Sequence, residues 1–288
     1  MSELKVGFVG LGAMGVSMAA HLKRAGLLAG VANRTPAKAQ TFAGEQGVIA
    51  ASPGELAKTC NVIVLCVSAD ADVLAVTREI AASAHPGTIV VDHSTVSSTT
   101  AKEAQQLMRA AGGDFLDAPV SGGVEGAKNG KLSIMAGGDA DALARVRPAL
   151  DAYAARVSHM GGIGAGQNTK AVNQILIAGI MHGMGEGLAL AEALGLDPAV
   201  LMSTLTSGAA TSWYLEKRGP SALRNEFNVG FKLALMHKDL GIGRDLAAAA
   251  GTTHEMIDKT LADYATLMAQ GHSDEDVSAM IRLKRKSA

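Results

Sequence analysis

Residues 6–15, VGFVGLGAMG, constrain this chain more than any other stretch. An apolar, β-branched run leads into Gly10, Gly12 and Gly15 in the G-x-G-x-x-G spacing, and AMGVSMAAHLKRAG after it has helical character. Each glycine has its own reason in such a strand–turn–helix unit. Gly10 permits the tight turn, Gly12 lets the backbone approach a pyrophosphate, and Gly15 lets the helix pack close to the strand. The helix N-terminus then faces the phosphate charge. Gly10, Leu11, Gly12, Ala13, Met14 and Gly15 are therefore expected to bind a dinucleotide.

The surrounding pattern agrees. Candidate strands at 4–10, 30–33, 61–67, 88–93, 114–118 and 131–137 are separated by Ala-rich helical runs. That alternation predicts a parallel, doubly wound sheet. KNGKL adds an Asn-Gly turn signal. After about residue 163 the strand signal stops, and helical runs are expected at 167–195, 197–208, 212–223, 231–250, 252–270 and 273–284. The Gly-rich HMGGIGAGQ marks the boundary. The fold expected is an α/β Rossmann-like domain over 1–163 and an all-α domain over 164–288, joined by a long helix.

The second strand of such a unit ends on an acidic residue when the ligand is NAD, because a carboxylate accepts from the ribose 2′-hydroxyl. Here the strand ends ANRT, so Asn33 takes the acidic position and Arg34 and Thr35 follow. A guanidinium pairs with a 2′-phosphate where a carboxylate repels it, so NADP(H) is expected over NAD(H). In open α/β sheets ligands sit at the carboxyl ends of the strands. Val67 and Ser68 are placed there to pass along the dinucleotide, and Thr95 to reach its nicotinamide side. Ser121, Gly122 and Gly123 offer a hydroxyl and successive backbone N–H groups to a small anion. Asp92 and Asp117 read best as capping groups.

A net charge of −1 and 3% aromatic residues disfavour nucleic acid as a partner. The closing RLKRK is read as a solvated, frayed end. The eight histidines lack ligand spacing, so no metal is expected, and Cys60 and Cys66 read as reduced packing residues of a cytoplasmic protein. No targeting segment is expected ahead of Leu4, and the glycine-broken apolar part of the long helix is expected to fall short of a membrane span.

One residue stands out in that helix. From Asn168 to Leu196 only Lys170, Glu186 and Glu192 are charged. A lysine at a helix start opposes the macrodipole, so Lys170 either reaches solvent or is needed there.

VGFVGLGAMG, DAPVSGG, GIGAGQNTKAVNQ and FKLALMHKDLGI occur in this order over nearly the whole chain. Together they resemble the β-hydroxyacid dehydrogenase family. The resemblance implies that Lys170 is the catalytic lysine with Asn173 beside it, and that Ser121, Gly122 and Gly123 hold a substrate carboxylate. It also implies that Thr95 and Lys238 lie near the cofactor and that Phe231 and Asp239 border the substrate site. The Asn-Arg-Thr strand end is similar to the NADPH-using reductases of that family. The family's Asp-Met-Ser-Thr reads Asp-His-Ser-Thr here, with His93 as the departure. The length argues against the larger 6-phosphogluconate dehydrogenases.

Hydride arriving at an aldehyde carbon leaves negative charge on oxygen, and a positioned acid must protonate it. A lysine with its ordinary pKa of about 10.4 is charged at neutral pH and can do so. The expected function is NADPH-dependent, reversible reduction of small carboxylate-bearing aldehydes (semialdehydes or 2-oxo acids) to hydroxyacids. Alternatives are an NAD-dependent dehydrogenase of the 3-hydroxyisobutyrate type and a non-catalytic NADP(H) sensor. Glycines 179, 183 and 187 permit close helix packing, within the chain or between subunits, and a homodimer or homotetramer is expected.

Overall fold

The computed structural model describes residues 4–228 and 230–285. The chain divides into two compact units, Met1–Lys170 and Ala171–Ala288, a division that falls inside the long helix shortly after the Gly-rich loop.

The first unit is built on one sheet of nine strands: β1 Val6–Val9, β2 Leu28–Ala32, β3 Ile49–Ala50, β4 Val62–Leu65, β5 Ile89–Asp92, β6 Asp114–Asp117, β7 Val120–Ser121, β8 Leu132–Gly137 and β9 Ala154–Gly161. The order β3-β2-β1-β4-β5-β6 is parallel throughout, as the alternation predicts. β8 runs antiparallel to β6 and β7 and parallel to β9. The register of β8 with β9 shifts twice, between Leu132 and Ser133 and between Ala136 and Gly137.

The strands are apolar on both faces because both faces are covered. Val62 and Val64 of β4 pack with Val6, Phe8, Ile89 and Val91 into one core cluster. Their neighbours Ile63 and Leu65 pack with Val9, Val90 and Phe115 into another. Alternate residues of each strand thus point into different cores, which is the side-chain period of two. Each fully buried large apolar side chain contributes about 1.5–3 kcal/mol.

Three strands lie outside the expected set. β3 has two residues, both exposed. β7 also has two. β9 shows no alternation of buried and exposed residues. The Asn-Gly signal marks a helix end, not a hairpin: Asn129 caps the helix Gly123–Lys128, and Gly130 follows at φ +64°.

Beneath the carboxyl ends of β5 and β6 lies a buried polar group. The His93 ring pairs Nδ1 with the Ala118 carbonyl at 2.6 Å and Nε2 with the Tyr153 hydroxyl at 2.8 Å. A neutral ring donating from Nδ1 and accepting from Tyr153 satisfies both contacts. Burial brings its pKa down from 6.5 to about 4, with the Ala118 carbonyl pulling the other way. His93 thus cross-links the end of β5 to the residue just after β6. Next to it, Asp92 accepts from the Ser94 backbone N–H at 2.9 Å through Oδ1, while Oδ2 is buried without a partner among the described residues. Burial pushes this carboxyl up to about 7, with Ser94 opposing the rise and the Asp117 and Asp70 carboxylates adding to it.

The second unit contains the helices Pro198–Thr206, Trp213–Leu223, Leu233–Ala250 and Glu255–Ala269 and the 3-10 turn Val277–Leu283. Asp276 is its polar hub. One carboxylate oxygen accepts from the backbone N–H groups of Gly230 and Phe231, and the other from Ser278 N–H and Oγ–H. The basic end is not frayed as expected. Arg282 pairs with Glu275 and Arg285 with Glu192, at 2.7–3.0 Å, while Lys284 reaches Asp263 at 3.2 Å. Lys286 of RLKRK lies outside the described residues.

The helix Ala165–Ala193 has 29 residues and is long and apolar enough to cross a membrane by length and composition, contrary to expectation. Half of its most apolar window is buried within the chain itself. Its buried His182 bonds Thr260 at 3.0 Å, which fits a core helix of a folded domain.

The raised Asp92 pKa has a consequence for stability. Between about pH 4 and 7 the folded chain binds more protons at Asp92 than the unfolded chain, whose carboxyl titrates near 3.9. The contribution of this group therefore falls as pH rises through that window. Asp92→Asn cannot titrate, and His93, which shifts in the opposite sense, is present in both proteins. Denaturant unfolding of the two proteins at pH 4.5, 6 and 7.5 should show the Asn variant gaining relative stability with pH. A difference that stays flat across the range would contradict this.

Candidate functional site

The Gly-rich turn has the shape a pyrophosphate requires. Gly10 has φ +104°, and a Cβ there would stand 2.2 Å from the Cys66 carbonyl oxygen. At Gly15 a Cβ would stand 1.9 Å from the Gly10 carbonyl oxygen. Neither position tolerates a side chain. A Cβ at Gly12 meets none of the described residues within 4 Å, so that backbone is open for a ligand to approach. The helix Gly15–Arg24 starts there, with Met14 at its N-cap and Ala13 exposed in the turn. Gly10, Leu11, Gly12, Asn33, Arg34, Thr35, Val67 and Ser68, eight of the residues expected to bind cofactor, line one groove of about 690 Å³. These residues fit a dinucleotide.

Asn33 does more than replace an acid. Its side-chain oxygen accepts from the Leu11 N–H at 2.9 Å, and its amide donates to the Thr35 carbonyl at 3.1 Å. It ties the Gly-rich turn to the end of β2. An aspartate could keep the first bond but would set a second oxygen against the Thr35 carbonyl. Arg34 extends into solvent, its side chain 83% exposed, and reaches Asp72 Oδ1 at 3.4 Å. Val67 is held from below: its N–H donates to Ser94 Oγ at 2.9 Å, and Ser94 rests on Asp92.

A second set of candidates gathers within the same unit around the start of the long helix. Asp117 caps that start, accepting from Gly164 N–H at 2.7 Å and from Gln167 N–H at 2.8 Å. Burial raises its pKa, and these backbone donors partly offset the rise. The helix start lies so close to the sheet that a Cβ at Gly166 would stand 2.3 Å from the Met135 carbonyl oxygen. Gln167 then turns inward and holds both sides of Thr95, donating to the Ser94 carbonyl at 2.8 Å and accepting from Val96 N–H at 3.2 Å.

Lys170, three residues on, is buried at 7% exposure and donates from Nζ to the Val120 carbonyl at 2.9 Å. Val120 directly precedes Ser121, Gly122 and Gly123, so the structure brings Lys170 to that loop. Gly122 and Gly123 have φ +123° and +60°, backbone that disfavours other residues. The structure answers the question Lys170 raised: it turns inward, not to solvent.

The remaining candidates belong to the second unit. Asn173 donates to Gln174 Oε1 at 2.8 Å, and Gln174 donates to Asp239 Oδ2 at 2.7 Å. Lys238 Nζ lies 2.9 Å from Asp239 Oδ1. Phe231 is partly buried just before the helix Leu233–Ala250, on backbone held by Asp276. The sequence motifs did not single out Gln167 or Gln174, which the structure places in these hydrogen-bond networks. Both glutamines are buried polar residues of an apolar helix, on the inward face at i−3 and i+4 from Lys170. That spacing was the available signal.

Comparison with known proteins identifies the family. Residues 5–162 match the family described as the NAD binding domain of 6-phosphogluconate dehydrogenase. Residues 164–284 match the family described as the NAD-binding region of NADP-dependent 3-hydroxyisobutyrate dehydrogenase. The solved 3-hydroxyisobutyrate dehydrogenase of Mycobacterium tuberculosis with L-serine is similar at 35% identity and TM-score 0.89, over 98% of this chain and 99% of that one. A 2-hydroxy-3-oxopropionate reductase of Escherichia coli is 33% identical over 97% of this chain and 96% of its own. An NAD-dependent L-serine dehydrogenase of Pseudomonas aeruginosa is 32% identical over 97% of each. Motifs, sheet order and relatives of matching length agree that this chain belongs to the β-hydroxyacid dehydrogenase family and is an NAD(P)-dependent oxidoreductase acting on CH–OH groups.

Proposed function

We propose that this protein is an NADPH-dependent reductase of small carboxylate-bearing aldehydes, working reversibly on the corresponding hydroxyacids, with Lys170 as the acid. The observation that carries the reading is the Lys170 Nζ bond to the Val120 carbonyl, which sets a buried ammonium beside Ser121, Gly122 and Gly123. A bound nicotinamide supplies the hydride. The Ser121 hydroxyl and the backbone of Gly122 and Gly123 hold the substrate carboxylate. Lys170 gives a proton to the aldehyde oxygen as charge develops there and recovers one in the reverse direction. Gln167 fixes the loop that bears Thr95, and Asn173, which shares a helix face with Lys170, orients the substrate hydroxyl. Phe231, Lys238 and Asp239 carry the roles that the family resemblance implies for them. A protein that only senses the cofactor needs no such acid.

The NADPH preference is supported by Arg34 at the groove's mouth, with Thr35 and Lys38 lining the same groove and no carboxylate at position 33. The NAD-dependent relative keeps the NAD reading as the alternative. For assembly, a stripe on the helix Ala165–Ala193 supports a second copy as partner. A Cβ at Gly179, Gly183 or Gly187 meets none of the described residues within 4 Å, and Val172, Leu176 and Leu190 on the same stripe are exposed. Sedimentation equilibrium should return a dimer or tetramer mass; a monomer at micromolar concentration contradicts the assembly.

The acid role is tested with NADPH and succinic semialdehyde, with butanal as the uncharged counterpart. The semialdehyde should be the better substrate, chiefly in kcat/KM. Lys170→Met should lower kcat by at least about 10²-fold with cofactor affinity nearly unchanged. Lys170→Arg keeps the charge but does not release a proton near neutral pH. An Arg variant with native turnover would show that the proton comes from elsewhere.

The cofactor reading is tested by Arg34→Ala. Losing a charge-assisted contact costs about 1.5–3 kcal/mol, one to two decades of affinity. NADPH should weaken by that much while NADH stays nearly unchanged. Equal losses for both cofactors would remove the 2′-phosphate from Arg34.

A further inference from the structure

Arg34, to which the reading above gives the ribose 2′-phosphate, already has an anionic partner. Its Nη1 lies 3.4 Å from Asp72 Oδ1. The two residues come from opposite lips of the groove. Arg34 follows β2, and Asp72 sits in the first turn of the helix Asp70–Ala81, beyond β4. Both line the groove, together with Lys38 and Glu79. Glu79 is otherwise engaged, accepting from the Gly54 N–H at 3.1 Å. Asp72 is the carboxylate that faces Arg34, and its side chain is 31% exposed.

We propose that Asp72 is a second determinant of cofactor choice, a role that rests on the 2′-phosphate reading of Arg34. A 2′-phosphate bound at Arg34 must displace the Asp72 carboxylate from the guanidinium and then lie beside it as a like charge. Both effects oppose NADPH. Neither touches NADH, whose 2′-hydroxyl carries no charge. The pair therefore moderates a preference that Arg34 alone would make stronger. An exposed pair at this distance acts weakly, so the shift is a matter of several-fold, and it is screened by salt.

Isothermal titration of the full chain with NADPH and with NADH decides the matter. Asp72→Asn should tighten NADPH by about 3–10-fold, equivalent to ~0.6–1.4 kcal/mol, and leave NADH within about twofold. In about 1 M salt, where the screening length is ~3 Å, most of the gain should vanish. Asp72→Lys, which adds a cation at the same lip, should gain more than Asn, and Asp72→Ser serves if either variant folds poorly. If Arg34→Ala fails to separate NADPH from NADH, the cofactor reading falls and Asp72 loses its role with it. If Arg34→Ala does separate them but the Asp72 variants leave NADPH unchanged, or move both cofactors equally, Arg34 keeps its role and Asp72 has none.

Discussion

The carboxylate of Asp117 is the contact on which most of the candidate chemistry depends. Its two oxygens take the backbone N–H groups of Gly164 and Gln167. Those donors open the helix Ala165–Ala193 and have no partners inside it. Fixing them fixes the rotation of the helix about its axis. With that rotation set, Gln167 faces the 94–96 backbone and Lys170 faces Val120. A helix turned by one residue, about 100°, would send both into other surroundings. Gly166 and Gly137 make the anchorage possible, because a Cβ at either would collide with Asp117 or its neighbours. A buried carboxylate is costly, and its backbone donors offset the cost.

Much of this was legible in the sequence because the relevant constraints are local. The turn at Gly10 and Gly15 admits no Cβ, and that leaves a spacing readable without coordinates. Strands covered on both faces leave continuous apolar runs. Asp117 read as a cap, and it is one. What escaped depends on contacts distant in sequence. β3 and β7 have two residues each, too few for any periodicity. The basic end looked solvated because two of its acidic partners, Glu192 and Asp263, lie elsewhere along the chain. Asn33 was legible as the absence of an acid, but its two bonds to Leu11 and Thr35 were not.

His93 shows how a departure from a family pattern can be absorbed. A methionine at this position fills space, whereas an imidazole must also place two nitrogens. The Ala118 carbonyl and the Tyr153 hydroxyl meet both, and burial keeps the ring neutral. The loop bearing Ser94 and Thr95 is bonded to Val67 and Gln167. The substitution changes the material under the site while the site's main chain stays anchored from above.

The sheet's outer strand carries one more consequence. Among the described residues β9 pairs with β8 alone, so eight residues present an open edge. An edge of that length is a template on which a foreign strand can add, the usual route to ordered aggregates. Here the two register shifts against β8 bend the ribbon, and Arg156 places a charge on it. An incoming strand would find an irregular ladder to pair with. The irregularity that hides β9 in the sequence thus also works against strand addition at this edge.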